Sequence, residues 1–236
     1  MLAPKHDVSK TVFQVERLST FSDGVFAISI TLLIIEFKVP ELADIKSLSD
    51  HSLWIYLWNN MAFKFIGFLI SFGIVGHYWS VHHRIFGYVN KYTSSLLWIN
   101  LVFLFCVVLL PFSSGLVGEY ASNREMNLPY VIYAVNICIT GLVNCWLWLY
   151  ISNPKRELLT HKISASRIRL GVYRSLVIPI VFIISLLLSY VMPVIAHFFI
   201  PMTIPVILHY GMRELEQRAN RDELPVVIES SQSQPV

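Results

Sequence analysis

Charge is almost absent from long stretches of this chain. Roughly six runs of about 20 apolar residues follow one another. A run of that length is what a helix needs to cross a hydrocarbon core about 30 Å thick. Only 14% of the 236 residues are charged and 55% are apolar, against roughly 25% charged in a soluble domain. The pattern predicts an all-α membrane protein with spans near 18–37, 53–81, 93–117, 128–151, 171–190 and 193–210. Lys64 interrupts the second. The division between the last two rests on Pro193 and on the lack of a polar loop. Because membrane helices tolerate proline, one bent segment is the competing reading there.

Basic residues set an orientation. With an even number of spans and both ends inside, only Lys38, Lys46 and Arg124 of the 18 lysines and arginines fall outside, apart from Lys64 within its span. That asymmetry places both termini in the cytoplasm. The early apolar run carries Asp23 and follows a long polar stretch, which argues against a cleaved signal peptide. Residues 1–213 read as one membrane domain. Residues 214–236 read as a polar cytoplasmic tail, too poor in apolar side chains to fold alone.

Several chemistries have no support. Cys106, Cys138 and Cys145 lie inside apolar runs without a CxxC pair, so they read as small buried hydrophobes. His82 and His83 are adjacent and diverge by about 100° on a helix, which disfavours a shared metal. His77, His197 and His209 are isolated and suit helix–helix hydrogen bonds, as do Asn136 and Asn144. No Ser–His–acid spacing, nucleophile elbow or phosphate loop is present, so no enzyme and no cofactor are expected. No basic–aromatic cluster points to nucleic acid. Lys64 suits either an outer vestibule or snorkelling to the interface. The stretch from Arg156 to Arg174 suits either an interfacial segment or a helix extension.

The segment Arg17–Glu36, RLSTFSDGVFAISITLLIIE, carries the chemistry. On a helix, Leu32 and Ile35 lie within about 40° of Ile28, with Thr31 beside them, and Asp23 points about 140° away. A row of aliphatic groups on a membrane helix is usually packed or lipid-facing. An acid at membrane depth is costly unless paired or hydrated. Trp79, His82, His83 and Arg84 end the second span at a comparable depth. A network of Asp23 and Ser22 with Trp79, His82 and Arg17 would satisfy the buried polar atoms. Interfacial water, or a proton relay, are the other readings of Asp23.

Here a resemblance becomes specific. Arg17, Phe21, Ser22 and Asp23 match the RxxxFSD signature of the transmembrane protein 175 family. Tyr78–Phe86 resembles its second-helix ending, and Leu96–Phe112 its third helix, with Trp98, Asn100 and Pro111 in place. These blocks span roughly half the chain. The resemblance implies a homotetramer in the cell membrane with six helices per subunit, not the tetrameric P-loop architecture. Four copies of the first helix would line a pore for monovalent cations, K+ above all, without a TVGYG filter. It implies a constriction at Ile28, further layers at Leu32 and Ile35, and a pore-proximal hydroxyl at Thr31. Arg17, Phe21, Ser22, Asp23, Trp79 and His82 would hold the pore helix. Glu36 would form an outer acidic ring that attracts cations. The rival class is a proton-coupled secondary transporter titrating at Asp23 and His82.

Overall fold

In a bilayer, backbone polar groups must be paired within the segment that carries them, and helices do this. The computed structural model describes residues 5–35, 40, 46, 48–120, 127–192 and 195–232. Five long helices come first: α1 Lys5–Ile35, α2 Asp50–Phe86, α3 Ser94–Tyr120, α4 Leu128–Ser152 and α5 Ala165–Ser189. A π-helical turn, Ile195–Phe199, and the short helix Ile200–Met202 then lead into α6, Ile204–Gln232. Among the described residues, six segments are long and apolar enough to cross a membrane. The chain is an all-α membrane protein.

The break between the last two spans is real. Tyr190 and Val191 form a turn. The amides of Val191 and Met192 both donate to the Leu188 carbonyl. The Ser185 hydroxyl then reaches across the reversal to the Ala196 carbonyl at 2.5 Å. A buried hydroxyl bonded to a loosened helix start offsets the carbonyls a reversal leaves open.

Two expectations change. The stretch after Arg156 is neither an interfacial helix nor, at first, an extension of the next span. A 3-10 turn, Pro154–Arg156, gives way to extended chain that pairs Leu159 with Val89. The Asn90 amide bonds the Leu158 carbonyl at 3.0 Å, and the Thr160 amide bonds that of Tyr88 at 2.9 Å. These contacts tie the α2–α3 and α4–α5 connections together on one side of the bundle. α5 then starts where the Ser164 hydroxyl accepts the Arg167 amide at 3.1 Å, a side-chain cap. The polar tail also does not begin as unstructured chain. α6 crosses residue 213 without interruption and continues to Gln232. Glu214 and Arg218 pair one turn apart along it, and Glu216, Asn220 and Asp222 meet Arg174, Arg167 and Ser166 of α5. Partners on α5 hold residues 214–222 of this segment.

α3, α4 and α5 form the centre: half of each one's most apolar window is buried, against 28% for α1 and 22% for α2. Hydrocarbon neighbours do not drive helices together, so close backbone approach and polar contacts do. The α4–α5 pair shows both. A Cβ on Gly141 would lie 2.2 Å from the Pro179 ring, and one on Gly171 would lie 2.2 Å from the Trp148 indole nitrogen. Trp148 fills the gap and donates to the Ile168 carbonyl at 2.9 Å. Two of the three cysteines, Cys106 and Cys145, are buried, and all three are free thiols. Lys64 sits opposite Glu119 of α3 at 3.8 Å.

Candidate functional site

α1 meets its neighbours along one stripe. Val15, Leu18, Ser22, Phe26, Ser29 and Leu33 are buried, at steps of three or four residues, and pack on α2 and α3. Hydroxyls on this helix bond back to its own carbonyls. Ser22 donates to Leu18 at 2.8 Å and Ser29 to Val25 at 2.9 Å, as serines in membrane helices commonly do.

The opposite face touches little inside the subunit. Ile28 is 61% exposed, Leu32 38% and Ile35 67%. Thr31 is exposed beside them, its hydroxyl donating to the Ile28 carbonyl at 2.8 Å. The aliphatic row is therefore directed away from α2 and α3. Glu36 lies outside the described residues.

Among the described residues, two separate side-chain connections join α1 to the bundle. At the half-buried edge, the Trp79 indole N–H donates to Asp23 Oδ1 at 2.9 Å. In the interior, His82 Nε2 lies 2.8 Å from Asn100 Oδ1, and Asn100 Nδ2 donates to Ser22 Oγ at 2.9 Å. Ser22 spends its proton on the Leu18 carbonyl, so it must accept from the amide. The amide oxygen then faces His82, which must carry its proton on Nε2. The relay is fully directed: His82 to Asn100 to Ser22 to the Leu18 carbonyl. The imidazole is walled by aromatic rings, with centroids at 4.4 Å from Phe86, 5.4 Å from Phe103 and 5.6 Å from Phe26.

The expected single network is thus divided. Asp23 meets Trp79, and Ser22 meets His82 only through Asn100. Arg17 joins neither: its guanidinium lies over the Phe13 ring, 5.7 Å from the centroid. Six residues separate Arg17 from Asp23, about 9 Å of rise and 240° of rotation. They therefore sit on different faces almost two turns apart. Phe21 is 54% exposed and faces away from the contacts of Ser22. Asn100 is the residue that reasoning from charge and pore position left without a role. An asparagine inside the apolar run Leu96–Phe112 was its signal. Among the described residues, no group of three or more His, Cys, Asp or Glu side chains comes together as a metal site would need.

The sequence profile of the endosomal/lysosomal potassium channel TMEM175 matches residues 17–111, the three helices that carry these contacts. A potassium channel of Chamaesiphon minutus is 32% identical over 142 residues, which is 60% of this chain and 68% of that protein. The chain belongs to the TMEM175 family. This is a family of ion channels and not of P-loop tetramers. The crystal structure of a lysosomal potassium-selective channel TMEM175 homolog from the same organism superimposes with a TM-score of 0.65 at 26% identity. That match covers 82% of this chain and 97% of the other, so the likeness of fold reaches past the helices that the profile matches. The human TMEM175 protein, named as an endosomal/lysosomal proton channel, is 37% identical over 137 residues. Those residues make up 56% of this chain but only 27% of the human one.

Proposed function

We propose that this TMEM175 family chain is a potassium-preferring channel, and that four copies of α1 line its pore with Ile28 at the constriction. The observation that carries the reading is the two-faced character of α1. One face is fixed to α2 and α3 by close packing and by two hydrogen-bonded connections. The other leaves Ile28, Leu32 and Ile35 exposed in the subunit, Ile28 and Ile35 over most of their surface. Around a four-fold axis this row becomes stacked aliphatic rings, which control water and ion passage by dewetting. Thr31, one turn on from Ile28, adds a hydroxyl near the narrow region. The C. minutus relative is named a potassium channel, which supports K+ as the permeant ion. The basic residues favour an orientation with both termini cytoplasmic, in the cell membrane that the family resemblance implies. The reading requires no cofactor and no catalysis.

His82 and Asp23 make separate hydrogen bonds, to Asn100 and Trp79. That arrangement favours positioning residues over the titrating pair a transporter would need.

The test is ion flux from liposomes holding the purified full chain. Under an imposed gradient, K+ should pass faster than Na+, and Ile28→Asn, which hydrates the ring, should raise flux and weaken the preference. Flux that requires a proton gradient and ignores Ile28 would remove the pore assignment. A current of protons alone would move the chain to the activity for which its human relative is named.

A further inference from the structure

α2 and α3 each carry a pair of small residues one turn apart, Gly67 and Ser71 on the first, Ser114 and Gly118 on the second. That spacing puts each pair on one helix face. Small residues usually let membrane helices close on each other. Here only one member of each pair does so. The Ser71 and Ser114 hydroxyls meet at 2.6 Å, but a Cβ on Gly67 or on Gly118 would meet no heavy atom within 4 Å. The two helices therefore leave room beyond the serine contact. That room is a pocket of about 650 Å³, counted with its open side, and it also reaches α4, α5 and Leu33 of α1. Leu33 lies about 15 Å along α1 from Asp23, well away from the contacts at Trp79 and His82.

Ser71 bonds a second hydroxyl, that of Tyr133 on α4, at 2.7 Å. Three hydroxyl protons thus serve two contacts, and among the described residues nothing accepts the third. Ser71, Ser114 and Tyr133 all line the pocket, so this cluster brings it a surplus O–H donor. Tyr130 adds no other. Ser185 gives its proton to the Ala196 carbonyl, so the Tyr130 hydroxyl donates to Ser185. Tyr130 offers its ring instead, together with those of Phe68 and Phe182. Lys64 is the one lysine or arginine lining the pocket, and it stands opposite Glu119 at 3.8 Å.

We infer that this pocket binds a small neutral molecule with an aromatic ring and a carbonyl oxygen. The surplus donor calls for an acceptor. The three rings suit a flat apolar body, stacked or edge-on. The pairing of Lys64 with Glu119 leaves no lysine or arginine to draw an anion. The volume lies within the range of about 300–1,000 Å³ common to small-molecule sites. The site is independent of the pore reading, since occupancy is measured without conduction.

The experiment uses the full chain in detergent and benzophenone, an aromatic ketone that labels nearby C–H bonds under ultraviolet light. Labelled positions are mapped by mass spectrometry of peptides. Label should saturate with benzophenone concentration and concentrate at pocket residues such as Leu33, Ile70 and Val117. Gly67→Leu with Gly118→Leu, which fills the pocket, should abolish it. Ser71→Ala, Ser114→Ala and Tyr133→Phe together remove the donor while keeping the apolar shape. They should raise the half-saturating concentration about fivefold, the worth of one hydrogen bond. Benzoate, a ring with a charged carboxylate, should not compete. Melting temperatures of each variant separate lost binding from lost folding. Label that rises without saturation and spreads over the outer faces of the helices overturns the site, as does label undiminished in a folded filled variant. An unchanged half-saturation in the triple variant overturns the part given to the hydroxyls. Competition by benzoate overturns the neutral class of ligand.

Discussion

Asn100 has the most to lose from substitution. It is wholly buried, and both ends of its amide are engaged, one by His82 and one by Ser22. An apolar replacement orphans the buried His82 Nε2–H and removes the donor that Ser22 accepts, while Ser22 keeps its bond to the Leu18 carbonyl; an orphaned buried group costs about 1–3 kcal/mol. Asn100→Leu should therefore lower the melting temperature of the purified protein clearly. Adding His82→Phe should recover part of the loss, because one of the two partners is then apolar too; a further drop instead would mean the ring serves more than this bond. Asp23 makes a different kind of contact. Its carboxylate is half-buried and accepts one indole hydrogen bond. Asp23→Asn keeps that acceptor and removes the charge. Ion flux close to wild type is expected if Asp23 positions α1, whereas abolished flux would revive a proton relay.

At the scale of elements, the sharpest constraint is the α4–α5 seam. Gly171 admits the Trp148 indole where any Cβ would collide. Gly171→Ala should cost about 1–3 kcal/mol by overpacking and should disturb the bond from Trp148 to Ile168. Loss of the blue-shifted tryptophan emission together with a lower melting point would report it, and an unchanged melting point would contradict the close approach. This seam also marks where reading the sequence stops. The spans were legible because bilayer thickness fixes helix length and each helix satisfies its own backbone. Trp79 and Asp23 were legible as a pair because both carry polar groups at one depth. The role of Asn100 was not, because it depends on the rotation of α3 relative to α1. Arg17 differs for the same reason: its depth is legible in the sequence, but rotation about the helix axis sets it on another face from Asp23 within the subunit. The continuation of α6 escaped notice because its support is a set of arginines and serines on α5, invisible in the local composition of the tail.

For the whole molecule, the tetramer is the claim most open to direct test. If α1 lines a central axis, its exposed positions from different copies approach one another. Ile28→Cys and Ile35→Cys, on a background lacking Cys106, Cys138 and Cys145, should give disulfide-linked dimers of subunits after mild oxidation. Leu33→Cys, on the buried stripe, should not. Linkage at Leu33 in place of Ile28 would turn the helix around and empty the proposed pore. The two-sided attachment of α1 has a further consequence, for how such a chain can change over generations. Folding is sensitive to the buried stripe Leu18, Ser22, Phe26, Ser29 and Leu33, while the row of Ile28, Leu32 and Ile35 is exposed in the subunit. On the proposed pore reading, mutations in that row can alter what passes without first putting the scaffold at risk. A library randomised at Ile28, Thr31, Leu32 and Ile35 should yield many variants that reach the membrane intact yet differ in permeation, and a matching library at Ser22, Phe26, Ser29 and Leu33 should yield few that reach it at all.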